Sequence, residues 1–261
     1  MVNRSGRLAT IRVSPPGRLV IFGDIHGDLA TLEAGLELRG DDDVAIFLGD
    51  YADRGPDGIE VIERIDSLLD TEADRVVALK GNHEDYDDAG QPSFYPCTLI
   101  DEAVAKRSSW TGYFEEFRRF VDKLQYAAIV PGKLLCVHGG IPEALTLSDL
   151  EQGEREVETE LMWNDPGKRS GLHPSRRGIG HYFGADITAA CCESQGIRAI
   201  CRSHEPSKAL ESPLVEHDGK IVTTSSTRMY RGRAFVIVVE PDSIYDGTSL
   251  QDAAEYLLDG K

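Results

Sequence analysis

Three short apolar runs, residues 18–22 (RLVIF), 44–48 (VAIFL) and 75–79 (RVVAL), each lead directly into a glycine-bearing loop. Two stretches of helical spacing separate them. After Asp28, placed to cap a helix, Leu29, Leu32 and Leu36 share one face, and further on Ile59, Ile62, Ile65 and Leu69 share another. The runs read as buried strands. Right-handed crossovers then put all three strands parallel in one sheet, with the three following loops on a common edge. Those loops are Gly23-Asp24-Ile25-His26-Gly27, Gly49-Asp50-Tyr51-Ala52-Asp53-Arg54-Gly55 and Gly81-Asn82-His83-Glu84. Asp24, His26, Asp50, Asn82 and His83 lie far apart in sequence yet are expected to face one cleft.

The remaining chain reads more loosely. Residues 1–17 are basic and polar and end in Pro15-Pro16-Gly17, which suggests an N-terminal arm or a short edge strand. Residues 85–107 look irregular and acidic, and residues 110–124 helical. Residues 127–130 and 134–137 flank Pro131-Gly132-Lys133 as a hairpin that ends at His138-Gly139-Gly140. Residues 151–161 predict a charged surface helix. Residues 197–201 predict a strand leading into Arg202-Ser203-His204, and Asp218-Gly219 marks a hairpin. Residues 234–239 (AFVIVV) predict a buried strand and residues 249–258 a closing helix. These late strands suggest an antiparallel second sheet packed on the first, in one domain spanning residues 18–261.

Composition excludes some classes of function. With 45 acidic against 28 basic residues, a net charge of −17 repels a phosphate backbone and disfavours nucleic-acid binding. No run of about 18 apolar residues is present, so no membrane span is expected, and a cytoplasmic location is inferred. Five cysteines, Cys97, Cys136, Cys191, Cys192 and Cys201, lack paired metal-binding spacing and read as small buried residues.

The strand ends supply Asp24, His26, Asp50, Asn82, His138 and His204. Imidazole, carboxylate and amide oxygen together suit manganese, iron or zinc better than magnesium alone. Six ligands exceed what one catalytic ion with open positions needs, so two divalent ions are expected, with Asp50 as the bridge. Such ions, about 3.5–4 Å apart, can hold a hydroxide between them and stabilise both oxygens of an in-line displacement. The chemistry indicated is hydrolysis of a phosphate ester. Arg54 offers countercharge to the phosphoryl oxygens and Arg177 joins it, with Arg176 the competing choice. His83, oriented by Asp53, can protonate the leaving alkoxide.

Gly23 to Gly27, Gly49 to Gly55, Gly81 to Glu84 and His138-Gly139-Gly140 resemble, in order and interval, the signature motifs of the phosphoprotein phosphatase family. Trp163-Asn164-Asp165-Pro166, Arg177-Gly178 with Phe183-Gly184, and Cys201-Arg202-Ser203-His204 resemble its later motifs. The resemblance implies a metal-dependent serine/threonine protein phosphatase with the α/β sandwich of calcineurin-like metallophosphoesterases, two mixed sheets flanked by helices. It implies that Asp24, His26 and Asp50 hold one metal and Asp50, Asn82, His138 and His204 the other. Arg54, Asn82 and Arg177 would then contact phosphate, and His83 with Asp53 would form the acid pair. Manganese is the expected metal, and a phosphorylated protein or peptide the expected partner.

Three departures stand out. Eukaryotic-type members carry Ser-Ala-Pro-Asn-Tyr near the C-terminus, where this chain has Ser225-Ser226-Thr227-Arg228-Met229-Tyr230; Asp28 replaces a usual glutamine and Asn164 a serine. Two other functions compete with the phosphatase reading. Dinucleoside polyphosphate hydrolases resemble this chain but commonly lack the equivalent of Asp53 and end the third motif in Asp rather than Glu84. A catalytically silent binding protein on the same fold would not need an intact acid pair.

Overall fold

The computed structural model describes residues 1–258. In chain order its elements are β1 (Val2–Ser5), β2 (Leu8–Ile11), β3 (Leu19–Phe22), α1 (Leu29–Glu37), β4 (Val44–Phe47), α2 (Gly58–Thr71), β5 (Val76–Ala78), α3 (Leu99–Arg107) and α4 (Trp110–Lys123). There follow β6 (Ala127–Val130), β7 (Leu134–Val137), α5 (Leu147–Gln152), α6 (Arg155–Trp163), β8 (Asp165–Pro166), β9 (Leu172–Pro174), β10 (His181–Phe183) and α7 (Ala185–Gln195). The chain closes with β11 (Ala199–Arg202), β12 (Leu214–Glu216), β13 (Ile221–Thr223), β14 (Ala234–Val239), α8 (Gly247–Asp252) and β15 (Ala254–Leu257).

Two sheets stack face to face. The first has the order β15-β14-β3-β4-β5, with β3, β4 and β5 parallel as their sequence predicts. The second runs β1-β2-β6-β7-β11-β13-β12 and mixes parallel with antiparallel pairs. Strand alternation explains why the apolar runs have no polar gaps. Leu19, Ile21, Val44, Ile46 and Val77 face the second sheet and pack on Ala128, Cys136 and Cys201. Val20, Phe22, Ala45, Phe47 and Val76 face the other way, under α1 to α4. Both faces are covered, so both sets of positions must be apolar. On the outer face of the second sheet, Leu135, Val137 and Ile200 meet Leu150, Leu161 and Ile187 from α5, α6 and α7. The two metallophosphoesterase-type sheets flanked by helices are thus present.

Several expectations change. Of the two readings of residues 1–17, the arm fails and the short edge strand holds: β1 lies at the sheet edge in a hairpin with β2, β2 pairs in parallel with β6, and Ala9 and Ile11 are fully buried. The late strands do not make a purely antiparallel second sheet, and β14 joins the first sheet, antiparallel to β3. Residues 85–107 contain α3, whose Leu99 and Ala103 are buried against α4 and α2. The charged helix divides at Gly153, which takes φ 68°, and its second part buries Leu161, Met162 and Trp163. The closing helix stops at Asp252, because residues 254–257 find the open edge of β14. Helix α7 had no counterpart in the sequence reading. The five cysteines are free thiols, all buried except the half-buried Cys97.

Candidate metal centre

The site forms where the carboxyl ends of β3, β4, β5, β7 and β11 converge. Asp24 and His26 follow β3, Asp50 follows β4, Asn82 and His83 lie in a 3-10 turn (Asn82–Glu84) after β5, His138 follows β7 and His204 follows β11. All seven are buried. His26, Asp50, Asp53, Arg54 and His204 all hold positive φ, between 47° and 70°. Such backbone is costly for residues with a Cβ and persists only where its surroundings enforce it.

Cross-bracing between the loops does the enforcing. Asp50 O accepts from the amides of Ile25 (3.1 Å) and His26 (2.9 Å), and Tyr51 O from Gly27 (2.8 Å). Glu84 ties the second loop to the third: its carboxylate accepts from the amides of Asp50 (2.9 Å), Tyr51 (3.0 Å) and Gly81 (2.9 Å). Burial still pushes its carboxyl up to about 7 against those three donors. Gly49 has φ 111°, and a Cβ there would stand 2.7 Å from both Gly81 Cα and His138 Nδ1. Only glycine fits.

Hydrogen bonds set the tautomers. His26 Nδ1 faces Ala52 O at 2.9 Å and His138 Nδ1 faces Leu48 O at 2.8 Å. A carbonyl requires N–H at each Nδ1, which leaves each Nε2 with a bare lone pair. His26 Nε2 lies 3.6 Å from Asp50 Oδ2 and 3.9 Å from Asp24 Oδ2. His138 Nε2 lies 3.1 Å from Asn82 Oδ1 and 3.3 Å from Asp50 Oδ1. Burial drives His26 down to about 3 and His138 and His204 well below the ordinary imidazole value, so all three rings are neutral. Lone pairs therefore face lone pairs. Asp24 Oδ2 and His204 Nε2 are buried with no hydrogen-bond partner at all. Burial raises Asp24 to about 6, and burial together with the neighbouring Asp24 carboxylate raises Asp50 well above its usual range. His204 turns Nδ1 to Asn82 Oδ1 at 2.7 Å. A divalent cation would satisfy the crowded lone pairs, the partnerless Asp24 oxygen and the raised carboxyls, and the residues fit such ions.

Ligand atoms of Asp50, His138 and His204 lie within 4.8 Å of one another, as do those of His26, Asp50 and His83. Asp50 is common to both groups. His83 differs from the others in hydrogen-bonding a carboxylate: its Nδ1 lies 2.6 Å from Asp53 Oδ2. Asp53 Oδ1 in turn accepts from the amides of Thr98 and Leu99, the latter at 2.8 Å. Burial pushes the Asp53 carboxyl up, but the His83 and amide hydrogen bonds outweigh it and hold the group below its usual value. Burial lowers the His83 imidazole, with Asp53 opposing.

A cleft of about 80 Å³ opens onto these groups, lined by Arg54, Arg177, Phe94, Tyr95, Trp163 and Tyr230 besides the polar residues. Arg177 reaches it with Nε on Asp165 Oδ2 at 3.1 Å, whereas Arg176 lines a different cavity. Arg177 is the one of the pair that faces the cleft. Asp165 also holds the fully buried Arg202 (2.7 Å), and Arg202 binds Glu205 (2.7 Å).

Sequence reading assigned no role to Asp165, Arg202, Glu84 or Phe94, whose ring sits 4.2 Å from that of His83. The motifs around Asp165, Arg202 and Glu84 were visible; their contacts were not. Two departures from the family pattern prove to be partners. Asp28 caps α1 and grips Arg228, accepting from its Nε at 2.9 Å and its terminal nitrogen at 2.6 Å. That clamp fixes the loop carrying Tyr230, whose ring lies 5.5 Å from His26.

Comparison with known proteins agrees with this geometry. Residues 17–208 match the calcineurin-like phosphoesterase family. The chain is 34% identical over 234 residues, 85% of its length, to a probable serine/threonine-protein phosphatase of Encephalitozoon cuniculi, of which it covers 49%. It thus spans about half the length of that curated relative. A Saccharomyces cerevisiae protein serine/threonine phosphatase with similarity to human phosphatase PP5 superposes with a TM-score of 0.81 at 26% identity, covering 98% of this chain and 84% of that one. A structure provisionally described as a diadenosine tetraphosphatase gives a TM-score of 0.55 at 16% identity, over 98% of this chain and all of its own, a likeness of fold alone. The chain belongs to the calcineurin-like phosphoesterase family, and within it carries the motif set of the phosphoprotein phosphatases.

Proposed function

We propose that the chain hydrolyses phosphoserine and phosphothreonine monoesters in proteins, as one catalytic domain that includes the N-terminal hairpin. The observation that carries this reading is the buried Asp53–His83 pair at 2.6 Å beside the ligand array. A phosphomonoester with a poor alkoxide leaving group needs such an acid.

Asp24, His26 and Asp50 would hold one divalent ion, and Asp50, Asn82, His138 and His204 a second. When bound, the ions supply countercharge and activation of the attacking water; manganese is the metal we favour. Arg54 and Arg177 converge on the cleft to bind and orient the phosphoryl group, and Asp165 keeps the Arg177 fork directed there. Attack by water at phosphorus breaks the bond to the serine or threonine oxygen, and that oxygen takes the proton from His83 Nε2. Asp53 keeps the Nδ1 proton in place and favours the charged ring. A bound phosphate dianion adds a second negative neighbour that, with Asp53, opposes the lowering of His83 by burial. Phe94 covers the ring and limits water around it.

We place the protein in the cytoplasm, a reading its free cysteines support; fluorescent tagging of the chain tests it. Among the described residues no helix is long and apolar enough to cross a membrane.

The deciding experiment compares turnover of a phosphoserine/phosphothreonine peptide and of diadenosine tetraphosphate by metal-stripped protein reloaded with manganese, with Asp50→Asn as control. Peptide turnover that needs both manganese and Asp50 is expected. Cleavage of the dinucleotide alone would move the substrate class, and turnover of neither would overturn the enzymatic reading.

A further inference from the structure

Behind the loop that carries Arg177 the chain builds a second concavity. Lys168, Arg169, Arg176, Lys208 and Tyr182 line a cleft of about 550 Å³, and Glu216 is the one carboxylate among its described lining residues. Several of the cations elsewhere are matched by acids: Lys106 meets Glu60 and Glu102, Lys123 meets Asp66 and Asp70, and Arg155 meets Asp85 and Glu158. Lys208 is likewise held, by Glu205 at 2.9 Å and Glu216 at 3.4 Å. Lys168, Arg169 and Arg176 are exposed, and among the described residues none of them has a carboxylate within ion-pair distance. In a chain carrying seventeen surplus negative charges, three cations without ion pairs around one cavity make that cavity locally basic.

The position of this cleft gives the charge a meaning. Arg176 and Arg177 are consecutive, with Cα atoms about 3.8 Å apart, yet Arg176 lines the basic cleft and Arg177 the catalytic one. Asp165 and Pro166 divide in the same way: Asp165 holds Arg177, and Pro166 lines the basic cleft. Arg176 and Arg177 are therefore part of the wall between the two cavities. A chain whose phosphoresidue occupies one cleft can extend over that wall into the other. The three cations stand on long exposed side chains rather than in an enclosed anion cage, which suits several carboxylates strung along a segment better than one small ion.

We propose that this basic cleft is a docking subsite for an acidic segment of the protein substrate, a few residues from the phosphoresidue that is hydrolysed. The proposal rests on the phosphoprotein reading above and adds a sequence preference to it. It is tested with two phosphoserine peptides, identical except that one carries aspartate and glutamate flanks and the other alanine, on the native chain and on the K168S/R169S/R176S variant. p-Nitrophenyl phosphate, which has no flank, serves as reference substrate.

The native chain is expected to favour the acidic peptide by about tenfold in kcat/KM at low ionic strength, a preference that shrinks as salt is added. The variant should reduce the preference to within about twofold while turning over p-nitrophenyl phosphate as before. A variant that keeps the preference overturns the proposal. Binding of a fluorescein-labelled, unphosphorylated acidic peptide to Asp50→Asn protein, with and without the triple change, separates the subsite from the activity. If neither phosphopeptide is hydrolysed the phosphoprotein reading fails. A binding loss of about tenfold in the triple variant then still supports the subsite; unchanged binding refutes it.

Discussion

Asp53→Asn isolates the function of the acid pair from the fold. Asp53 is fully buried, with Oδ2 on His83 Nδ1 at 2.6 Å and Oδ1 on the Leu99 amide at 2.8 Å. An asparagine keeps an acceptor oxygen for Leu99 and turns its NH₂ toward the ring, so the loop stays satisfied but Nδ1 must become the acceptor. The negative charge that favoured imidazolium is gone. A hydrogen bond to a charged group contributes about 1.5–3 kcal/mol, so kcat on a phosphoserine peptide is expected to fall about 10- to 150-fold. p-Nitrophenyl phosphate releases a stable anion that needs no proton, and should lose less than about threefold. Steady-state kcat on both substrates, with circular dichroism as the folding control, decides the matter. Equal losses would make Asp53 a structural residue only, and an unchanged peptide rate would remove His83 from the proton transfer.

Other perturbations test the surroundings. Arg202→Met removes a fully buried guanidinium from Asp165 and Glu205, each at 2.7 Å, and should cost about 3–5 kcal/mol in urea unfolding; a loss under about 1 kcal/mol would show that the network relaxes without it. Burial pushes the Asp28 carboxyl up, but its pairing with Arg228 outweighs this and leaves the group below its ordinary value of 3.8. A depressed folded value means stability present above the unfolded value and lost as pH falls through the folded one. Native protein should thus exceed Asp28→Asn by about 1 kcal/mol near neutral pH, a modest figure because Arg228 is partly exposed, and the gap should close in acid. Gly49→Ala, with its Cβ 2.7 Å from His138 Nδ1 and φ at 111°, adds about 1–3 kcal/mol of backbone strain to a clash. Its melting temperature should fall. Manganese added to chelator-treated protein should raise the melting temperature with concentration, and Asp50→Asn should abolish the rise; an equal shift in both would place the metal elsewhere.

Much of the site was legible before any fold was known. Asp24, His26, Asp50, Asn82 and His83 each follow an apolar strand within a few residues, and the parallel crossover rule alone brings such loops to one edge. The observed sheet has that arrangement. Less was legible where local signals were weak or double. Three of the four residues of Val2–Ser5 are polar and one of its faces is exposed, so the segment read as either an arm or a short edge strand. Residues 249–258 fit a helical and an extended period alike, and the free edge of β14 decided between them.

The sequence by itself determined which loops carry chemistry and which side chains can bind metal, because strand burial and ligand type are properties of short stretches. Tertiary structure alone decided the contacts that make those ligands a site. Asp28 and Arg228 are 200 positions apart, and nothing in either neighbourhood names the other. Arg176 and Arg177 are neighbours of identical chemistry, and only the pairing of β10 with β8 and β9 and the grip of Asp165 direct one to the cleft over Asp50 and the other to the basic cleft. Glu84 stood at the end of a motif without a role until three amides from two loops converged on it. Such pairings depend on packing between distant segments, where direction and distance are set by the whole core rather than by any local run of residues.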